Sequence, residues 1–155
     1  MKLLLFVTVW ILGSVQALAA APSVAAPEIS CQIDKSSRLA MDQRDNQRLS
    51  CLKQKSRQLN VDQCLTIANS LEYSNNAEEA RQVCLYDLKK KVSFNDCSKV
   101  ARAMEYADTG DEVRWECLRR DSGKISKSQC RHLAKRMAYP ANQERAELFC
   151  EDELR

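Results

Sequence analysis

Apolar residues recur along this chain at helical spacing, and the spacing itself repeats. After Cys64 come Ile67-Ala68 and Leu71; after Cys97 come Val100-Ala101 and Met104; after Cys130 come Leu133-Ala134 and Met137. Cysteine and its followers at offsets of about 3, 4 and 7 residues draw one apolar stripe along an α-helix. Upstream of each stripe, Leu59-Asn60, Val92-Ser93 and Ile125-Ser126 set an apolar residue before an Asn or Ser, with Gln63, Asp96 and Gln129 three further on. Asn and Ser side chains accept from the N–H groups that a helix start leaves unpaired, so each triplet predicts a helix start, and Ser126 with Gln129 makes a full capping box. Ser74-Asn75-Asn76, Asp108-Thr109-Gly110 and Pro140-Ala141-Asn142 read as breakers that turn the chain. A second helix then follows in each case. Its buried line passes through Ala80, Val113 and Ala146 to Cys84, Cys117 and Cys150, with Leu85 and Leu118 beside it.

The cysteines give the period. Cys31, Cys51, Cys64, Cys84, Cys97, Cys117, Cys130 and Cys150 are separated alternately by 20 and 13 residues, a repeat of 33. Self-similarity at this spacing marks a repeat architecture. The two cysteines of a unit lie symmetrically about its turn, as an antiparallel hairpin requires. Helix axes packed ~8–10 Å apart bring facing Cα atoms within disulfide reach. The expected pairs are therefore Cys31–Cys51, Cys64–Cys84, Cys97–Cys117 and Cys130–Cys150. A rival scheme joins cysteines across the 13-residue links and would strand Cys31 and Cys150. The fold class expected is all-α: four disulfide-stapled antiparallel helical hairpins. Residues 28–58 form the N-terminal cap repeat, because Asp34, Lys35 and Arg38 occupy stripe positions and terminal repeats carry a polar face. Residues 59–91, 92–124 and 125–155 form repeats two to four.

Composition agrees and narrows the partners. Hydrophobic content of 45% with three glycines and three prolines in 155 residues excludes disorder and disfavours a turn-rich β fold. A net charge of +3 with both signs interleaved forms no basic block, so nucleic acid is not an expected partner. Residues 1–19 read as a secretory signal: Lys2, the apolar stretch Leu3 to Gly13, and the small-residue site Ala17-Leu18-Ala19. That stretch is far shorter than the ~20 residues a bilayer crossing needs, and no membrane span is expected. Residues 20–27 form a short Ala/Pro tether. All eight cysteines follow the signal, and their even number predicts disulfides in an oxidising setting, the bacterial periplasm or the extracellular medium.

The register resembles that of the tetratricopeptide repeat, a helical hairpin written Trp-x-x-Leu-Gly-x-x-Tyr, then Ala-x-x-x-Phe. Unit four reads Cys130-x-x-Leu133-Ala134-x-x-Met137, then Ala146-x-x-x-Cys150; unit two has Cys64, Ile67, Ala68, Leu71, Ala80 and Cys84 at the same offsets. The aromatic positions have become a disulfide. The period is 33 rather than 34, and no proline closes the unit. Exported, disulfide-stapled Sel1-like repeats look like a closer analogy, with different cysteine spacing. The resemblance covers residues 59–155 and implies an α-solenoid, a TPR-like array in which first helices line the binding face.

Tyr73, Tyr106 and Tyr139 recur nine residues after each unit's first cysteine, preceded by Glu72, Glu105 and Ala138. On the face the resemblance implies, they form with Asn69, Arg102 and Lys135 a stripe able to dock a protein or peptide; the alternative is that each Tyr packs on its own turn. Trp115 reads as filler between units three and four, or as a contact anchor. His132, the one histidine, reads as a solvated residue. Glu78-Glu79 and Asp111-Glu112 read as acids that favour the positive ends of their own helices. Neighbouring cysteines are too far apart in sequence for a zinc knuckle, no Gly-rich phosphate loop occurs, and no acid, base and nucleophile converge. No cofactor or metal is expected. The function expected is an exported, non-enzymatic binding module for a protein or peptide; the alternatives are a secreted effector or enzyme inhibitor and, further off, a hydrolase.

Overall fold

The computed structural model describes residue 31, residues 38–88 and residues 92–153. The signal, the tether, Asp34, Lys35 and residues 89–91 lie outside the described residues. Within them the chain is all helical: α1 (Met41–Lys55), a short 3-10 turn (Ser56–Gln58), α2 (Val61–Ala68), α3 (Ser74–Tyr86), α4 (Phe94–Ala103), α5 (Ala107–Asp121), α6 (Lys127–Ala134) and α7 (Pro140–Asp152).

The predicted helix starts are realised. The Asn60 side chain accepts from the Gln63 N–H at 2.8 Å, and the Gln63 side chain accepts from the Asn60 N–H at 3.1 Å. Ser126 and Gln129 close the same box, and Ser93 accepts from the Asp96 N–H at 3.2 Å. The turns fall elsewhere than the sequence suggested. The supposed breakers are instead the first turns of second helices: α3 opens at Ser74, α5 at Ala107, and α7 at Pro140. Proline suits a first helical position because its missing N–H would have no partner there. The first helices are correspondingly short, and Leu71 and Met137 are buried beyond the ends of α2 and α6.

Disulfides join Cys31 to Cys51, Cys64 to Cys84, Cys97 to Cys117 and Cys130 to Cys150, with Cα separations of 5.8, 5.6, 5.7 and 5.7 Å. The scheme across the 13-residue links does not occur. Three of these bonds clamp the packed pairs α2–α3, α4–α5 and α6–α7. Around them the core holds Ile67, Ala68, Val100, Ala101, Leu133 and Ala134 from the first helices, and Ala80, Val113, Ala146, Leu85 and Leu118 from the second. Trp115 meets Phe149 edge-on, with ring centroids 5.8 Å apart, and the Arg145 guanidinium lies 5.1 Å from the Trp115 ring centroid. It thus fills space between α5 and α7.

A second device joins one helix pair to the next. Asp45 on α1 accepts from the backbone N–H of Glu72 (2.9 Å) and Tyr73 (2.9 Å) and from the Asn76 amide (3.3 Å), all at the start of α3. Glu78 on α3 accepts from the N–H of Glu105 (3.0 Å) and Tyr106 (3.4 Å) and from the Thr109 hydroxyl, at the start of α5. Asp111 on α5 accepts from the N–H of Ala138 (2.7 Å) and Tyr139 (3.1 Å) and from the Asn142 amide (2.9 Å), at the start of α7. All three carboxylates are buried. Each also faces an arginine three residues on: Arg48 at 3.5 Å, Arg81 at 3.1 Å and Arg114 at 3.1 Å. These acids do not favour their own helix starts, as the sequence suggested for Glu78 and Asp111. They supply the missing acceptors at the next second helix, where unpaired N–H groups and the helix dipole both attract negative charge.

A candidate binding groove between α4 and α6

The carboxylate joints decide where the sequence-derived candidates stand. Tyr73, Tyr106 and Tyr139 are the N-cap residues of α3, α5 and α7, at the turn edge and not on the first helices. Their backbone N–H groups are taken by the joints while their side chains stay exposed. The Tyr106 hydroxyl donates to Asn75 Oδ1 at 2.7 Å, across one joint. Glu72 pairs with Arg44 at 2.9 Å and with Arg48 at 3.3 Å. Hydrogen bonds from Arg44 hold its carboxyl below the usual glutamate range despite the opposing pull of desolvation. Glu105 accepts from the Ser74 hydroxyl at 3.0 Å, and Asn69 accepts from Arg81 at 3.2 Å. Lys135 is the C-cap of α6 and borders a shallow surface depression with Glu144 and Glu147. Glu72, Glu105 and Tyr106 therefore stitch neighbouring helices of successive units together, while the Asn69–Arg81 bond lies within one pair.

Arg102, by contrast, lines a groove. This groove, about 460 Å³ in volume, runs between α4 and α6 and is lined by Phe94, Ser98 and Arg102 from one wall and His132, Leu133 and Arg136 from the other, with Asn95, Lys99, Ser128 and Gln129 completing it. A volume of this size falls in the range of ~300–1,000 Å³ that ligand sites occupy. Phe94 and Leu133 supply its apolar floor. Among the described residues, no carboxylate lies within ion-pair distance of Arg102, Arg136 or His132, and the Arg102 Nε donates only to the Ser98 carbonyl at 3.2 Å.

The preceding step shows why this one is open. There α2 packs against α4, and Lys99 reaches across to Asp62 at 2.9 Å while also pairing with Asp96 at 3.2 Å. Hydrogen bonds to Asp62 and Asp96 hold the Lys99 ammonium above the usual lysine value. One period later, Asp62 becomes Asn95 and Lys99 becomes His132. An amide facing an imidazole has neither the charge nor the reach to form that bridge. From sequence alone His132 reads as a solvated residue and Asn95 carries no mark; the available signal is that two registers, 62/95 and 99/132, both lose their charged residue in the later copy.

No group of three or more His, Cys, Asp or Glu side chains among the described residues is placed to hold a metal ion. No helix among them is long and apolar enough to cross a membrane. Four disulfides fit an oxidising compartment. Comparison with protein-family models, with curated proteins and with solved structures finds no match for this chain.

Proposed function

We propose that this chain is an exported, non-enzymatic binding module of the periplasm or extracellular medium. Its four units form a TPR-like α-solenoid of 33-residue, disulfide-stapled hairpins, and the side that carries α2, α4 and α6 receives a protein or peptide. The array reading is supported by the helix starts at Val61, Phe94 and Lys127 and at Ser74, Ala107 and Pro140, each a period apart, and by three carboxylate joints at identical offsets. The observation that carries the binding reading is the groove between α4 and α6, where arginines without acidic partners flank an apolar floor.

Rigid scaffolds suit recognition because little conformational freedom is lost on binding. Disulfides within each hairpin and buried acids between hairpins both restrict motion, so the groove is held in shape before a partner arrives. The exposed Tyr73, Tyr106 and Tyr139 extend the candidate surface along the turn edge, and aromatic and arginine side chains are frequent interface anchors. The test is crosslinking in the native exported compartment followed by mass spectrometry, comparing the wild-type chain with Arg102→Glu and Tyr106→Ala. Loss of a partner from either variant, with helical content and disulfides intact, supports the reading. An identical partner set for all three proteins sinks it.

A further inference from the structure

We infer that the groove between α4 and α6 takes an acidic peptide segment: one apolar side chain seated on Phe94 and Leu133, and flanking carboxylates paired with Arg102 and Arg136. This deepens the binding-module reading and rests on it. The groove's chemistry names the class of occupant. Two exposed guanidiniums without acidic partners stand on opposite walls, Arg102 from α4 and Arg136 from the turn after α6, above a floor of partly buried Phe94 and buried Leu133. Arginine's planar fork matches a carboxylate in two hydrogen bonds at once, so opposed arginines favour a ligand carrying separated carboxylates. The floor requires something apolar between them. Ser98, Ser128 and Gln129 add neutral donors and acceptors that suit a peptide backbone.

The contrast with the preceding step supplies the second line of argument. In that step the Lys99–Asp62 pair already occupies the equivalent place, so the positive charge is satisfied within the chain. In the α4–α6 step both members of the bridge are replaced, by Asn95 and His132, and two arginines stand where the preceding period has Asn69 and Ala103, so this step gains positive charge that no acid of the described residues pairs with.

The experiment uses an acetylated, amidated pentapeptide with a central leucine flanked by two glutamates on each side, and the same peptide with glutamines. Binding is followed by backbone amide NMR shifts on the oxidised chain. The expected result is saturable binding of the acidic peptide with shifts confined to α4, α6 and the turn that follows α6, weakened about tenfold or more by the glutamine exchange and steeply by added salt. The decisive variant is Asn95→Asp with His132→Lys. It rebuilds the Asp62–Lys99 bridge across the groove, keeps both arginines, and leaves the net charge unchanged with His neutral; binding should be lost while the fold persists. Three results would overturn the inference: no binding of the acidic peptide, equal binding of the glutamine peptide, or undiminished binding by the bridged variant. Tighter competition by a single-stranded oligonucleotide of equal charge would overturn it as well. Any of these, with partner capture still dependent on Tyr106, leaves the binding-module reading standing and removes only the groove's assignment.

Discussion

The step from α2–α3 to α4–α5 and the step from α4–α5 to α6–α7 are built on one plan and finished differently. Both are hinged on a buried carboxylate, Glu78 in the first and Asp111 in the second, that caps the next second helix. On the side of the first helices, one step is closed by Lys99 and Asp62, and the other opens as a groove. At the bridging positions, Asp62 and Lys99 give way to Asn95 and His132 one period later. The lesson is that the joints hold the helix pairs in place, so the first-helix side of each step is free to vary.

Breaking a joint should have the largest effect. Asp111→Ala removes a buried acceptor from two backbone N–H groups, the Asn142 amide and Arg114, and should cost about 3–5 kcal/mol of unfolding free energy. Glu78→Ala should cost a similar amount, and a clearly smaller loss in denaturant titration would show that the two joints are not equivalent. Removing the Cys97–Cys117 staple by a double serine substitution loosens the hairpin that both steps share. For a loop of this length the expected loss is about 3 kcal/mol, read from the denaturation midpoint under non-reducing conditions.

Acid should strain both joints together. Burial pushes the Glu78 carboxyl up, but hydrogen bonds from Thr109, from the Glu105 and Tyr106 backbone and from Arg81 outweigh it and hold the group below the usual glutamate range. Asp111 is likewise pushed up by burial and held lower by Asn142, Ala138, Tyr139 and Arg114. A carboxylate depressed in the folded state stabilises fully above its unfolded value, near pH 4, and loses that contribution as pH falls through the folded value. Stability should therefore be flat above about pH 5 and fall below pH 4, and Glu78→Gln should flatten the fall. A midpoint that is constant from pH 6 to pH 2 would contradict this. The smallest effect should come from the first-helix side: Asp62→Asn removes an exposed ion pair and should cost under about 1 kcal/mol, while making the α2–α4 step resemble its neighbour. Its denaturation midpoint should barely move.

Much of this architecture is written in the order of residues. The cysteine spacing predicted every disulfide, and the Asn60, Ser93 and Ser126 caps predicted where first helices begin. These are local or strictly periodic signals, decided within one unit. The turns were misplaced because Ser74-Asn75-Asn76 and Pro140 favour a break and a helix start alike, and only packing selects between them. The joints were missed for a different reason. Acids at 45, 78, 111 and 144 share one register, with Asn76, Thr109 and Asn142 each 31 residues after an acid, yet the partners lie on different units.

Sequence alone thus settled helix, pairing and period, because hydrophobic spacing, capping and sulfur chemistry act over a few residues or through a covalent bond. Tertiary structure alone decided which members of a repeated position are alike. Asp45, Glu78 and Asp111 are buried under a following helix start, whereas Glu144, in the same register, is exposed with none packed over it among the described residues. Likewise Lys99 closes a step that His132 leaves open. Burial and charge pairing belong to neighbours brought together by folding, and a period in sequence cannot say which of its copies has a neighbour.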